Sequence, residues 1–227
     1  MNKISDSPSK LQQIKAPPSL RAMAYASIKE AIMTNILKPG LVYNEQGLGN
    51  ELGMSKTPVH EALIDLSSRG FVTLRARRGV LINTLTTQDI IKLYSFRQVI
   101  ESGIIRSIAD KFKDTHLERL KVLHNRCLDA SVFDGMVNYL KLERAFHDYM
   151  ASLSQNEYMI SALENVRDLI DWMGLKALTR TERMLEVNQE HEEVLTSIAE
   201  RNFADAALSM EKHISITLKN VLNHQSE

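Results

Sequence analysis

The sequence predicts a mainly α-helical protein built from two parts, because the spacing of its apolar residues changes near residue 85. Before that point, three short segments with helical spacing are separated by glycine and proline, and two short β-like segments follow them. Beyond it, no proline occurs and helical spacing continues through six segments. We therefore expect a flexible polar arm over 1–18, an N-terminal domain over 19–84 and an all-helical domain over 85–227.

The three N-terminal helices are predicted from the residues that begin and end them. Ser19 and Asn44 are good N-caps, since their side-chain oxygens can accept a hydrogen bond from the first helical turn. Pro39 ends the first helix, Gly53 ends the second, and Ser55 begins a third. The turn between the second and third helices is as short as a helix-turn-helix requires.

Two short apolar segments follow the third helix, at 71–74 and 80–82. The residues between them, Arg77, Arg78 and Gly79, suit a tight turn, so the two segments are predicted to form a β-hairpin. Three helices followed by a hairpin are the plan of a winged helix-turn-helix.

The second part is predicted to contain helices only. The first of them begins at Thr86 or Thr87, and others follow over 114–131, 133–154, 156–177, 180–200 and 203–223. Because each segment has an apolar face and the connections are short, we expect a compact antiparallel helical bundle.

Charge and composition restrict the possible partners. Residues 1–84 hold 11 Lys and Arg against 6 Asp and Glu, a net charge of +5, whereas the remaining 17 and 22 give 85–227 a net charge of −5. A basic N-terminal third suggests a polyanionic partner. No apolar run is long enough to cross a bilayer, no apolar signal-peptide core occurs, and the one cysteine, Cys127, cannot form an internal disulfide. We therefore expect a cytoplasmic protein without a membrane partner.

The third helix and the hairpin carry residues suited to double-stranded DNA. Lys56 and His60 lie four residues apart, so both project from one face of the helix and can donate hydrogen bonds to base edges in a major groove. The first helical turn and the arginines of the hairpin suit contacts to phosphate. Helix order and charge alone leave open that these are solvated surface residues. The candidates are Ser55, Lys56, Thr57, His60, Arg75, Arg77 and Arg78.

Four side chains in the second part could bind a metal ion. Glu143 and His147 lie four residues apart and therefore face the same side of a helix. His191 and His213 lie on two later helices, and three imidazoles with one carboxylate suit a divalent transition ion. Spacing alone does not bring the four together, since histidines on helices are often solvated or packed in a core. The residues by themselves therefore leave metal binding open.

The N-terminal part resembles the GntR family of bacterial repressors. The resemblance rests on spaced motifs that occur in order, namely Leu37-Lys38-Pro39-Gly40, Asn44-Glu45, the segment 52–63, Gly70-Phe71-Val72 and Arg78-Gly79. It implies operator contacts by Gln46, Ser55, Lys56, Thr57, His60, Arg78 and Gly79. The family usually has arginine where this chain has Gln46, Lys56 and His60, and lysine lacks the two-pronged fork that arginine offers to guanine. We therefore expect either weaker binding to the DNA phosphates or an operator sequence that differs from the family's common one.

The helical part resembles the FadR C-terminal domain, abbreviated FCD, in the segments 97–101, 143–147, 154–156, 191–199 and 206–214. Many proteins of that subfamily bind one divalent metal ion through an aspartate and three histidines, and a small carboxylate effector, such as a sugar acid or an organic acid, binds beside it. The resemblance implies one ion of zinc, nickel, iron or manganese. Its ligands would be Glu143, which replaces the usual aspartate, and His147, His191 and His213.

Two further expectations concern the effector and the assembly. Arg97 is a candidate to bind the effector carboxylate, since arginine pairs with carboxylates through two hydrogen bonds. The alternative is an ion pair with Glu101, four residues further along the same helix. A homodimer is expected, because helix-turn-helix proteins commonly read two half-sites related by two-fold symmetry.

The expected function is a DNA-binding transcriptional repressor whose operator affinity is controlled by the carboxylate effector at the metal site. Two alternatives stay open: a regulator that binds an acyl-type ligand in an apolar cavity without metal, and a helical dimer that has lost DNA binding. An enzyme is not expected. The zinc-protease helix motif needs a histidine four residues after His191, where Leu195 stands.

Overall fold

A computed structural model describes residues 17–133, 136–174 and 181–223. The predicted arm over 1–18 lies almost wholly outside the described residues, as do the predicted helical positions 134–135, 175–177 and 180. The chain divides into two compact units, Met1–Ile82 and Asn83–Glu227.

Over its described residues, 17–82, the first unit contains three helices and three strands. The helices are α1 (Leu20–Met33), α2 (Glu45–Leu52) and α3 (Lys56–Ser68), and the strands are β1 (Val42–Tyr43), β2 (Val72–Arg75) and β3 (Gly79–Ile82). The apolar faces of the helices meet the sheet in a core whose buried members include Ile32, Leu63, Leu66, Phe71 and Ile82. This burial is what holds such short elements in place, since helices of this length are marginal in water on their own.

The predicted caps explain where the helices begin and end. The Ser19 hydroxyl accepts a hydrogen bond from Ala22 N at 3.2 Å, and Asn44 Oδ1 accepts one from Gln46 N at 2.8 Å. Gly53 ends α2 in the left-handed conformation, with φ 63°. Ser55 precedes α3 as predicted, but its side chain makes no capping hydrogen bond.

Strand β1 is an element of the first unit that the sequence did not predict. It pairs antiparallel with β3, Tyr43 opposite Val80, so that β3 lies between β1 and β2. Gly79 begins β3 with φ 99°, and a Cβ placed there would lie 2.3 Å from the Tyr43 carbonyl oxygen. Only glycine therefore allows the wing hairpin to pass this close to β1.

The second unit is a helical bundle. It contains α4 (Thr87–Ser107), a 3₁₀ turn (Ala109–Lys111), α5 (Asp114–Phe133), α6 (Met136–Ser152), α7 (Glu157–Gly174), α8 (Thr181–Ala199) and α9 (Phe203–Asn223). Thr86 and Asp89 form a reciprocal capping box at the start of α4. Helix α4 packs on α6, α7 and α9, and α8 packs on α5 and α9. Five helices, α4, α6, α7, α8 and α9, contribute side chains to the site described next.

None of the helices within the described ranges is both long and apolar enough to cross a membrane.

Candidate functional site

The four predicted metal ligands lie together in the bundle. Helix α6 contributes Glu143 and His147, α8 contributes His191, and α9 contributes His213. One ligand atom of each lies within 4.8 Å of the others, and all four side chains are buried. His147 Nε2 is 3.0 Å from Glu143 Oε1 and 3.2 Å from His191 Nε2. The fold thus brings together residues that spacing alone could not.

Two carboxylates, one buried and one partly buried, orient two of these histidines. His213 Nδ1 donates to the partly buried Glu190 at Oε2, 2.6 Å away, and His147 Nδ1 is hydrogen-bonded to Oε2 of the buried Glu101. A carboxylate that accepts from one ring nitrogen directs the other nitrogen away from itself, as in many metal sites. The second nitrogen of His213, Nε2, is buried and has no hydrogen-bond partner among the described residues.

An aromatic ring shapes one wall of this cluster. Phe146 stacks on His191 with ring centroids 4.6 Å apart and planes inclined by 17°. His191 Nδ1 is buried and lacks a hydrogen-bond partner in the described part of the chain. The donor set, three imidazoles and one carboxylate in a buried space, is of the kind that zinc, nickel, iron and manganese bind.

Two buried arginines lie beside the cluster. Arg97 Nε donates to Glu101 Oε1 at 2.5 Å, so the ion pair considered as an alternative role for Arg97 is present. Arg97 Nη2 also lies 3.6 Å from Glu143 Oε1 and 3.3 Å from His147 Nε2. Arg167, from α7, donates from Nη2 to Glu143 Oε2 at 2.6 Å. Both guanidinium groups therefore reach the ligand cluster, and the effector role of Arg97 stays a prediction.

Six of the nine predicted DNA-contacting residues line a groove in the first unit. Lys56 and His60, both exposed on α3, face the wing arginines across a space of about 460 Å³. The lining residues are Asn44, Glu45, Lys56, His60, Leu74, Arg75, Ala76, Arg77, Arg78 and Gly79.

Three other predicted DNA contacts lie outside that groove. Ser55 and Thr57 are exposed at the start of α3. Gln46 is exposed on α2, where its Nε2 donates to Asn50 Oδ1 at 3.1 Å. The groove also contains a residue that the sequence did not indicate, Glu45, whose carboxylate lies 3.2 Å from His60 Nδ1 and 3.7 Å from Lys56 Nζ.

Two family models match these two units. The model described as bacterial regulatory proteins, gntR family, matches residues 20–82, and the FCD domain model matches residues 92–215. The chain belongs to the GntR family and carries an FCD domain. This GntR-family protein is therefore a DNA-binding transcriptional regulator and not an enzyme, as the sequence predicted.

Relatives of this GntR-family regulator match most of its length. The Nta operon transcriptional regulator of Aminobacter aminovorans is 27% identical over 185 residues, 78% of this chain and 82% of the relative. The HTH-type transcriptional repressor RspR of Escherichia coli (strain K12) is 20% identical over 206 residues, 89% of each chain. The solved structure of E. coli McbR/YncC aligns with a TM-score of 0.76 at 16% identity, over 93% of this chain and 100% of that one. This structural likeness shows a shared fold.

The burial of Glu143 and His191 in the FCD domain, together with nearby charged groups, changes their pKa values. Burial by itself raises the pKa of the Glu143 carboxyl, but the nearby Arg167 guanidinium and the contact with the His147 ring outweigh it and hold that pKa well below its usual value. Burial, reinforced by His213 and His147, places the pKa of His191 well below its usual value. An ionised carboxylate beside a neutral imidazole is the protonation state in which such groups bind metal.

The sequence of this GntR-family regulator did not identify Glu101, Glu190 and Arg167 as residues of the site. Glu190 stands beside His191 in the sequence, and Glu101 appeared only as the pairing partner of Arg97. Arg167 carried no local signal, because its partner Glu143 lies on another helix.

Proposed function

We propose that this regulator is a repressor whose affinity for its operator is controlled by a small carboxylate bound beside one divalent metal ion in the FCD domain. The convergence of Glu143, His147, His191 and His213 within 4.8 Å carries the proposal. The name of RspR, a transcriptional repressor, supports the direction of control. For the effector to regulate, its affinity must differ between the DNA-binding and non-binding states of the protein.

In this proposal Glu143 supplies one carboxylate oxygen to the ion. Its Oε2 accepts from Arg167 Nη2 at 2.6 Å, whereas Oε1 faces His147 Nε2 at 3.0 Å. Glu143 stands where the family usually has the shorter aspartate, and Arg167 holds its second carboxylate oxygen. When bound, the ion supplies a positive charge and an open position for an oxygen of the effector.

The arginines give the site its preference for a carboxylate effector. Arg167 Nε and Nη1 are buried and make no hydrogen bond within the described residues, although Nη1 lies 3.9 Å from Glu101 Oε1. Buried donors without a hydrogen bond are costly, so a ligand with acceptor oxygens would be favoured here. Arg97, 3% exposed, is the second cation within reach. This polar lining disfavours the alternative of an apolar cavity for an acyl ligand.

A metal assay tests the first part of the proposal. We expect about one divalent ion per chain in wild-type protein purified without chelator or histidine tag, measured by mass spectrometry of the elements. His191→Ala should lose the ion, whereas His116→Ala, which removes a histidine of α5 outside the cluster, should keep it. Wild-type protein without stoichiometric metal would refute the metal site.

An effector screen tests the second part. Sugar acids, dicarboxylates and a fatty acyl thioester are compared by thermal shift, and positive compounds are then tested for their effect on binding to DNA obtained by in vitro selection. We expect a carboxylate to raise the melting temperature only in metal-loaded protein and to weaken DNA binding. Stabilisation by the thioester in metal-free protein would favour the acyl-ligand alternative, and failure to select any DNA at low salt would favour loss of DNA binding.

The homodimer is tested separately. Light scattering should give twice the chain mass of 25.8 kDa, and selected DNA should contain two half-sites related by two-fold symmetry. A monomer bound to one half-site would contradict this part of the proposal.

A further inference from the structure

The side of α3 that is predicted to contact DNA carries His60, whose ring contacts the carboxylate of Glu45. Glu45, from the first turn of α2, places its Oε1 and Oε2 at 3.3 Å and 3.2 Å from His60 Nδ1. The Glu45 side chain is 16% exposed, whereas that of His60 is 47% exposed. Glu45 thus lies at the base of the groove, and the histidine ring stands above it toward solvent.

This contact decides which ring nitrogen carries the proton. An ionised carboxylate only accepts hydrogen bonds, so the hydrogen bond to Glu45 requires a proton on His60 Nδ1. In a neutral imidazole with the proton on Nδ1, the other nitrogen, Nε2, has a lone pair and can only accept. His60 therefore presents an acceptor to the groove in its neutral form.

An acceptor at this position matches only some bases. In the major groove, cytosine N4 and adenine N6 are donors, whereas guanine presents N7 and O6, which are both acceptors. Arginine at this place in a recognition helix suits guanine, because it offers donors alone. We propose that Glu45 positions His60 to accept a hydrogen bond from the exocyclic amino group of cytosine or adenine. This inference rests on the DNA-binding domain and is independent of the metal and effector proposals.

The surroundings of the pair are compatible with DNA. Lys56 Nζ lies 3.7 Å from Glu45 Oε2 and offsets its negative charge. The facing side of the groove carries Arg75, Arg77 and Arg78, whose donors suit phosphate oxygens. His60 thus offers an acceptor in a groove whose other charged side chains, apart from Glu45, are donors.

The proton position can be measured directly in the full chain. Nitrogen-15 spectra of histidine-labelled protein at about pH 8, with His60 assigned by its loss in His60→Gln, report which ring nitrogen is protonated. We expect the proton on Nδ1 in wild type and a shift toward Nε2 in Glu45→Ala. Glu51→Ala, which removes an exposed glutamate elsewhere on α2, should leave the His60 signals unchanged. A wild-type proton on Nε2 would overturn the proposal.

Base preference is then measured by in vitro selection at the same pH. Wild type should select adenine or cytosine at one position of each half-site, by about tenfold over guanine. His60→Arg should change that position to guanine and leave the others as they were. Glu45→Ala should reduce the preference at that position alone. Selection of guanine by wild type, or an unaltered position in His60→Arg, would overturn the assignment, whatever the result for Glu45→Ala.

Discussion

Replacing Gly79 by alanine should destabilise the winged helix-turn-helix far more than replacing Gly53. Both glycines have positive φ, 99° and 63°. A Cβ at position 53 would have nothing within 4 Å, whereas one at position 79 would lie 2.3 Å from Tyr43 O. The two substitutions therefore share the cost of a left-handed conformation and differ in the collision with β1.

The expected magnitudes follow from that difference. Alanine at positive φ costs about 1–2 kcal/mol, which is the whole effect expected for Gly53→Ala. At Gly79 the Tyr43 carbonyl must also move by about 1 Å to reach an ordinary contact distance. This movement threatens the hydrogen bonds that tie Leu41 and Gly40 to Ile82, at 3.0 Å and 2.8 Å. At about 0.5–1 kcal/mol each, their loss brings Gly79→Ala to about 2–4 kcal/mol.

Hydrogen exchange of the full-length protein is the assay, because it reports on each domain separately. Amides of α3 should exchange about 30-fold faster or more in Gly79→Ala, and about tenfold faster in Gly53→Ala. Amides of α9, in the FCD domain, serve as the internal reference. Equal acceleration by both substitutions would show that the close approach of β1 to Gly79 does not matter for stability.

Three other predictions follow from side-chain contacts. Glu190→Gln removes the charge beside His213 Nδ1 and should weaken divalent metal binding about 10- to 100-fold in a chelator competition; unchanged affinity would count against the orienting role of that carboxylate. Burial raises the pKa of the Cys127 thiol to about 12, so a thiol reagent at pH 8 should react only after unfolding, and rapid reaction with the native chain would contradict this. The hydrogen bonds from Arg21 lower the pKa of Asp65, so their stabilising contribution is present above the carboxyl's unfolded pKa and is lost as the pH falls below about 4. Wild type and Asp65→Asn should therefore differ in melting temperature at pH 7, and the difference should shrink progressively as the pH is lowered below about 4. A difference that stays constant with pH would refute the ion pair.

The elements of both domains were largely predictable because their signals are local. Ser19, Asn44 and Gly53 act on neighbouring backbone groups, so their effect can be seen in the sequence itself. Strand β1 could not be found in this way. It is two residues long, and it exists because Val42 and Tyr43 pair with β3, nearly forty residues further along the chain.

Only part of the metal-ligand site was predictable from the sequence. Helical spacing put Glu143 and His147 on one face and left His191 and His213 as candidates on two later helices. Only the resemblance to FCD domains implied that the four form one site. The groups that orient or neutralise these ligands stayed hidden, since Arg167 and Glu190 act across helix boundaries. The same holds for Glu45, whose carboxylate meets His60 only when α2 and α3 pack together.

By itself, the sequence determined the kind of protein: its two domains, their helices, the family motifs and the three retained histidines. Tertiary structure decided the surroundings of the functional groups, namely which nitrogen of His60 contacts Glu45, which oxygen of Glu143 is engaged by Arg167, and how deeply each ligand is buried. The physical reason is the distance along the chain over which each kind of interaction acts. Caps and helical faces depend on residues within about one turn, whereas hydrogen-bond partners and desolvation depend on residues that only folding brings near.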